Sequence, residues 1–135
     1  MTQEDKQLLL KDLCGRVPYG VKCEVHYIFN NETTYGEDVE AVKDDVIDKI
    51  DFANEEVYTC ELGYFSFVED VKPYLRPMSS MTEEEFEYYN ACAGYGTYEE
   101  VMIDRLNFLH RKHFDYRGLI PKGLALEAKE GMYHG

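Results

Sequence analysis

The stretch VKCEVHYIF, residues 21–29, decides the fold class because it resembles a β-strand more clearly than any other segment. Apolar or aromatic side chains occupy its odd positions, and Lys22, Glu24 and His26 alternate with them. A period of two is typical of a strand with one buried face. A Pro-Tyr-Gly turn precedes the segment and a polar break at 30–34 follows it. The sequence therefore predicts one strand of a sheet here.

Shorter segments of strand-like composition follow at residues 38–42, 57–60 and 64–68, separated by acidic turns at 43–45 and 53–56. Residues 43–52 fit the period of a helix as well as that of a strand, and we favour the strand because the neighbouring segments are strands. Gly63 permits a bulge or a sharp bend. Residues 71–77 are expected to end the sheet, since Pro73 and Pro77 each remove a ladder donor.

Three capping boxes, each a threonine followed three residues later by an acidic residue, predict three helix starts. They are Thr2 with Asp5, Thr82 with Glu85, and Thr97 with Glu100. The first helix spans 2–14 and stops at Gly15, and two further helices fill 82–113. Each of these two has an apolar stripe that is expected to face the core: Phe86, Tyr89 and Ala93 in one, and Met102, Ile103, Leu106, Leu109 and His113 in the other.

A helix, then short strands, then two helices is a segregated order, which favours an α+β fold over alternating α/β. We predict a single domain, 1–135, with an N-terminal helix, a small antiparallel sheet or partly open barrel of short strands at 21–77, and a C-terminal helical hairpin. The tail, 114–135, is expected to dock on the core, with residues 132–135 loose. Its apolar anchors are Phe114, Tyr116, Leu119 and Ile120, with Asp115 and Arg117 satisfying polar groups at the edge.

The chain has 135 residues with 27 acidic and 14 basic side chains, a formal net charge of −13. Such a surface repels phosphate backbones and attracts basic proteins, so we expect a basic protein partner and no direct nucleic-acid binding. The four cysteines form no CxxC pair, which favours free buried thiols in a reducing cytoplasm. No export signal and no apolar run of about 20 residues occurs, so a cytoplasmic protein without a membrane span is expected.

Candidate chemistry is weak. His110 and His113 share a helix face with Asp115 nearby, which would suit a metal or a ligand cleft. The better interpretation is that one histidine lies on the apolar stripe and is satisfied by a hydrogen bond, while the other is exposed at the helix end. A thiolate at Cys23 or Cys92 is disfavoured because both positions are expected to be shielded. An acidic group at Asp44, Asp45, Asp48 and Asp51 lacks the EF-hand glycine and closing glutamate, and it is interpreted as a solvated turn. No nucleotide-phosphate loop is present, and no metal or cofactor is predicted.

Tyrosine is abundant, with 12 copies and no tryptophan, and this residue suits protein interfaces because it buries a large area at low entropic cost. The predicted partner-binding residues lie on and between the last two helices: Glu83, Glu84, Glu85, Glu87, Tyr88, Tyr95, Tyr98, Glu99 and Glu100. The alternative is that several of these tyrosines, with Tyr89, only pack the hairpin.

Three stretches carry a resemblance: MTQEDKQLLLKDLC with VPYGVKCEV, then VEDVKPYLRPMSSMTEEE, then HFDYRGLIPKGLALEAKEGMY. Together they resemble a family of short, uncharacterised acidic proteins of gut anaerobic bacteria and their phages. The resemblance covers nearly the whole chain and implies a cytoplasmic accessory protein borne on mobile elements. It implies no activity, cofactor or catalytic residue.

Three hypotheses follow. The leading one is a non-enzymatic acidic protein-binding module, in its specific form an inhibitor whose carboxylates substitute for phosphates in a nucleic-acid channel of a basic partner. The alternative is a small-ligand binder or hydrolase that uses a cleft at His110, His113 and Asp115. The third is a structural component of a larger assembly.

Overall fold

A computed structural model describes residues 1–94 and 96–133. The described residues form a mixed α/β fold with an N-terminal helix, a mixed sheet and further helices, as the sequence predicts in outline. The helices and strands are α1 (Gln3–Arg16), β1 (Lys22–Phe29), β2 (Val39–Asp51), β3 (Glu56–Thr59), β4 (Phe65–Phe67), β5 (Val71–Pro77), α2 (Glu83–Ala91), α3 (Tyr98–Arg111), β6 (Phe114–Asp115) and β7 (Leu126–Glu127). The chain divides into two compact units, Met1–Tyr74 and Leu75–Gly135. The arrangement as one domain stays a prediction.

Helix α1 begins as predicted and ends later than predicted. The Thr2 hydroxyl accepts a hydrogen bond from the Asp5 backbone N–H, and the Asp5 carboxylate accepts one from the Thr2 N–H. The helix continues through Gly15 to Arg16, whose guanidinium bonds the Asp12 carboxylate one turn earlier at 2.6 and 3.1 Å. This i,i+4 pair is fully buried and holds the last turn in helical form. A short 3-10 turn follows, and Gly20 at φ +70° then reverses the chain.

The sheet of the first unit has the order β4-β3-β2-β1-β5, and all its pairs are antiparallel. Strand β1 is confirmed, and its Cys23 and Val25 are buried, as are Val21 just before the strand and Leu9, Leu10 and Leu13 of α1. The predicted buried face ends at Val25, because Tyr27 is only partly buried and Phe29 is exposed. Strand β2 is one continuous strand of 13 residues. The favoured strand at 43–52 is therefore confirmed, and the turn predicted at 43–45 is wrong.

Asp45 explains why the acidic segment does not turn. Its Oδ1 accepts backbone N–H groups from Val46 at 2.7 Å and Glu61 at 2.8 Å, and its Oδ2 accepts the Leu62 N–H at 3.0 Å. Burial raises the pKa of Asp45, but these hydrogen bonds outweigh burial and lower it overall. Asp44 accepts the Tyr74 hydroxyl at 2.7 Å. The interpretation of this acidic group as a solvated turn is therefore wrong, because two of its members organise the sheet.

Strand β5 contains both prolines that were expected to end the sheet, so that expectation is wrong. Its antiparallel pairing with β1 runs from Val71 to Pro73, and its parallel pairing with β6 joins Arg76 and Pro77 to Phe114 and Asp115. Each proline lies at the end of a paired stretch, where the missing N–H costs least. The prediction of an antiparallel sheet therefore holds for the first unit alone, because the β5–β6 pair of the second unit is parallel.

In the second unit, the capping boxes of α2 and α3 are confirmed, and α3 ends at Arg111, two residues before the predicted limit at His113. The helices contact each other where the Tyr88 ring lies 4.9 Å from the Phe108 ring and where the Arg105 Nε donates to the Tyr89 carbonyl at 3.1 Å. Phe108, Leu109 and Phe114 form the buried cluster beneath them. The predicted helical hairpin is matched only in part, since α2 ends in a 3-10 turn, Cys92–Gly94.

The apolar stripes of the two C-terminal helices do not face the core as predicted. Of the α3 stripe, Leu109 and His113 are buried, whereas Met102, Ile103 and Leu106 are exposed. Of the stripe predicted for the preceding helix, Phe86 is exposed and Tyr89 is partly buried, while Ala93 lies beyond α2 in the 3-10 turn and is exposed. The stripe marks the core only in the last turn of α3, where Phe114 and Tyr116 are available to pack on it.

The tail packs as predicted in its first half. Phe114 and Leu119 are fully buried, and Ala128 donates its N–H to the Leu75 carbonyl at 2.8 Å. The predicted looseness of 132–135 is wrong at Tyr133, whose ring stacks on His113 at 3.9 Å. Residues 134 and 135 lie outside the described part of the chain.

Candidate partner-binding surfaces

The predicted partner-binding residues lie in the second unit, and most of them are exposed. The exposed ones are Glu83, Glu84, Glu87, Tyr88, Tyr98, Glu99 and Glu100, while Tyr95 lies outside the described residues. Apart from Glu87, the carboxylates belong to the first turns of α2 and α3, where they also complement the positive end of the helix dipole. Solvation and the helix dipole therefore stabilise part of this negative charge even when no partner is bound.

Glu85 differs from its neighbours because Arg76 binds it. The Arg76 Nη1 and Nη2 atoms each lie 2.7 Å from a carboxylate oxygen of Glu85, and Nη2 also donates to the Ser80 carbonyl at 3.1 Å. The hydrogen bonds from Arg76 lower the pKa of Glu85 from 4.5 to about 2, although burial opposes the change. The guanidinium also stacks over the Phe114 ring at 4.2 Å. Glu85 thus holds the second unit together and is withdrawn from the partner-binding set.

A second feature of α3 is an uncovered apolar stripe, which we name the helix face. It comprises Tyr98, Glu99, Met102, Ile103 and Leu106, which at 3.6 residues per turn occupy one side of the helix roughly 140° wide. Met102, Ile103 and Leu106 are 49%, 57% and 40% exposed. A globular helix normally buries such a stripe, so three large exposed apolar side chains in succession indicate a contact surface. Two of the residues predicted from composition, Tyr98 and Glu99, belong to it.

The three residues of the alternative cleft are buried and make internal contacts, so the expected exposure of one histidine at the helix end is wrong. The His110 Nε2 lies 2.6 Å from the Tyr116 hydroxyl, and His113 carries the Tyr133 ring. The Asp115 carboxylate accepts the backbone N–H groups of Leu119 at 2.8 Å and Ile120 at 2.9 Å. This geometry is that of a satisfied polar core and confirms the structural interpretation of Asp115. Within the described residues, no group of three or more histidine, cysteine or acidic side chains could hold a metal ion.

The cysteines are free, but only some are buried as predicted. Cys23 is buried, Cys92 is partly buried, and Cys14 and Cys60 are exposed. Burial raises the pKa of Cys23 to about 12, and the neighbouring carboxylates of Asp45 and Asp44 add to the effect. A thiol in this state is not a nucleophile at neutral pH.

The first unit contains a surface that sequence reasoning missed, a groove of about 940 Å³. Its apolar lining includes Ile28 of β1, Val42 of β2, and Tyr64, Phe65 and Phe67 at β4. Phe65 and Phe67 are 41% and 60% exposed, whereas Ser66 between them is 9% exposed. In the run YFSFV either alternate set could face inward, and the pairing of Ser66 with buried Val57 turns both phenylalanines outward. The alternation of this run was therefore visible in the sequence, but the sequence did not specify which alternate set of side chains is buried.

Most of the charged side chains that line the groove are acidic. Four carboxylates contribute to it, those of Glu40, Glu56, Glu69 and Asp70, against the basic side chains of Lys72 and His26. Glu69 is bridged by Lys6 at 3.0 Å. Burial, and next the charge of Glu69, raise the pKa of Asp70. The groove therefore combines an apolar lining with an excess of negative charge.

Comparisons of the chain with protein-family models, with curated proteins and with solved structures find no match. Among the residues that the structure describes, none of the helices is both long enough and apolar enough to cross a membrane.

Proposed function

We propose that the protein is a non-enzymatic, acidic protein-binding module and that the helix face receives a basic amphipathic helix of a partner protein. The observation that carries this proposal is the exposure of Met102, Ile103 and Leu106 along one side of α3. Large apolar patches on soluble proteins are commonly interaction sites, and an apolar helix face pairs readily with the apolar face of another helix.

The charge of the second unit determines the kind of helix that would bind. Glu99 lies within the helix face, and Glu83, Glu84 and Glu87 on α2 are exposed as well. An acidic partner helix would meet repulsion here, whereas lysine or arginine beside the apolar contact would be attracted. The net charge of −13 adds long-range steering of a basic partner.

The specific form of the proposal is an accessory protein of a mobile element or phage that inhibits a basic nucleic-acid-handling protein in the cytoplasm. The resemblance to the family of gut anaerobes and their phages supports the setting. Exposed carboxylates on α2 and α3 support the inhibition, because a groove that binds phosphates also binds closely spaced carboxylates.

The test uses a synthetic helical peptide that has leucine on one face and lysine on the other. Binding is measured by fluorescence anisotropy for the protein and for Ile103→Ser and Leu106→Ser. Complete burial of such a side chain is worth about 1.5–3 kcal/mol, so the half-exposed side chain contributes about 1 kcal/mol and each substitution weakens binding roughly fivefold. Raising the salt concentration should weaken binding further.

Phe52→Ser is the matched control, because Phe52 of the first unit is 42% exposed, against 40% for Leu106, and does not line the groove of that unit. It should leave binding unchanged. A peptide with glutamate in place of lysine, and one with the same composition in scrambled order, should bind weakly. Equal binding of the scrambled peptide, or equal losses in Phe52→Ser and Leu106→Ser, would contradict the proposal.

A further inference from the structure

The groove of the first unit is bordered by strands that are not neighbours in the sheet. Its lining includes residues of β1 and of β4, although β2 and β3 lie between them in the order of hydrogen-bonded strands. Strands separated in this way can line one groove only if the sheet curls, as in a partly open barrel. Strand β2 bends where its register with β3 shifts between Ile47 and Lys49, which supplies the curvature.

Strand β4 presents an open edge at this groove. Among the described residues it pairs with β3 alone. The Val68 N–H donates to the Glu55 carbonyl at 3.0 Å, and bonded pairs alternate along an antiparallel ladder. The next bonded pair is therefore Val57 with Ser66, so the peptide groups of Phe65 and Phe67 point away from β3. Two N–H groups and two carbonyls are thus available to an added strand.

Strand β1 leaves a similar opening on its side of the groove. Its pairing with β5 covers Cys23 to Val25 only, so within the described residues His26 to Phe29 have a strand partner on the β2 side alone. The gap between the two open edges is lined by Ile28, Phe65 and Phe67. Backbone groups and apolar side chains at one gap are what β-strand addition requires.

We propose that this groove binds an extended segment of a partner protein that carries apolar and basic residues on one face, and that the segment adds to β4 as a further strand. Apolar side chains of the segment contact Phe65 and Phe67, and its basic side chains meet Glu40, Glu56 and Asp70. Glu56 lies directly opposite Phe67 in the pairing of β3 with β4, so the two side chains are on the same face of the sheet. A strand displays every second residue on one face, so apolar and basic residues must share those positions of the segment. The site lies in a different unit from the helix face, and the inference does not depend on the function proposed for that face.

The experiment uses a short labelled peptide with valine and lysine in turn at every second position and threonine at the positions between them. Two further versions carry N-methyl groups on alternate backbone amides, one version for each edge of the strand. The unmodified peptide should bind, as measured by anisotropy, and at least one methylated version should bind about tenfold more weakly or worse, the equivalent of about 1.4 kcal/mol. In the saturated protein, hydrogen exchange at the amides of Phe65 and Phe67 should slow. Unchanged exchange at both amides, or equal binding of all three peptides, would overturn the proposal.

Side-chain variants test the same site independently. Phe67→Ser and Glu56→Gln should each weaken binding several-fold, because one removes apolar contact and the other a rim charge. The matched control is Phe86→Ser, since Phe86 of the second unit is 56% exposed, against 60% for Phe67. It should bind as the wild type does. If far-UV circular dichroism shows Phe67→Ser to be unfolded, Glu56→Gln, which removes a half-buried charge at nearly constant side-chain size, decides the matter. Unaltered binding by Glu56→Gln, or an equal loss in Phe86→Ser, would refute the site.

Discussion

Replacing Glu85 by glutamine tests whether one ion pair holds the second unit together. Arg76 makes two hydrogen bonds of 2.7 Å to this carboxylate, and the two side chains are only 14% and 19% exposed. Glutamine keeps an oxygen that can complete the capping box with Thr82, so the substitution removes the charge and leaves the helix cap in place.

The expected loss can be worked out from the pKa. The hydrogen bonds from Arg76 lower the pKa of Glu85 from 4.5 to about 2. This difference corresponds to at most about 3 kcal/mol of folding free energy, and the water that reaches the pair reduces it to about 2 kcal/mol. Because the folded pKa lies below the unfolded one, this stability is fully present above pH 4.5 and is lost as the pH falls towards about 2.

Urea unfolding followed by circular dichroism is the assay, with Glu84→Gln as the control because Glu84 is the exposed neighbour on the same helix turn. Near neutral pH, Glu85→Gln should lower the free energy of unfolding by about 2 kcal/mol and Glu84→Gln by less than about 0.5 kcal/mol. The gap between wild type and Glu85→Gln should be about half as large near pH 3. Equal losses in the two variants, or a gap that does not change with pH, would refute the reasoning.

Two further predictions concern the first unit. Asp45→Asn should lower the free energy of unfolding by about 1–3 kcal/mol, because an amide nitrogen cannot accept the backbone N–H groups bound by the carboxylate. Asp48→Asn, at an exposed site, should have little effect. Urea unfolding of both variants checks this, and equal effects would contradict it. Iodoacetamide in neutral buffer should modify the exposed thiols of Cys14 and Cys60 and leave Cys23 intact until urea is added. The reason is that burial raises the pKa of Cys23 to about 12. Peptide mass spectrometry measures the modification, and early modification of Cys23 would contradict its burial.

The sequence predicted the local elements well because their signals are local. Thr2, Thr82 and Thr97 each begin a helix through contacts with a residue three positions later. The alternation of residues 21–29 likewise depends only on neighbours. The features that the sequence did not predict depend on residues far apart in the chain. The Asp45 carboxylate, for example, organises β2 through backbone groups at residues 61 and 62, which lie outside any short stretch of sequence around Asp45.

The candidate surfaces were predictable only in part for a related reason. Composition pointed to the carboxylates and tyrosines of α2 and α3, which are mostly exposed, but it did not distinguish Glu85 from Glu84 because the difference is made by Arg76. Periodicity identified the apolar stripe of α3, but the expectation that Met102, Ile103 and Leu106 face the core was wrong. The outward orientation of the β4 phenylalanines could not be predicted, because it depends on the register between β4 and β3.

The open edge of β4 also bears on self-association of the protein. An unpaired strand edge beside two exposed phenylalanines is a template on which identical copies can stack, and proteins counter this hazard with short edge strands and nearby charges. Here the strand has three residues, and Glu56 and Glu69 lie beside it. Electrostatic repulsion between copies of net charge −13 completes this protection, and it vanishes as the solution approaches the isoelectric point of about 4.6. The carboxylates that line the groove therefore also oppose self-association and help to keep the protein in solution.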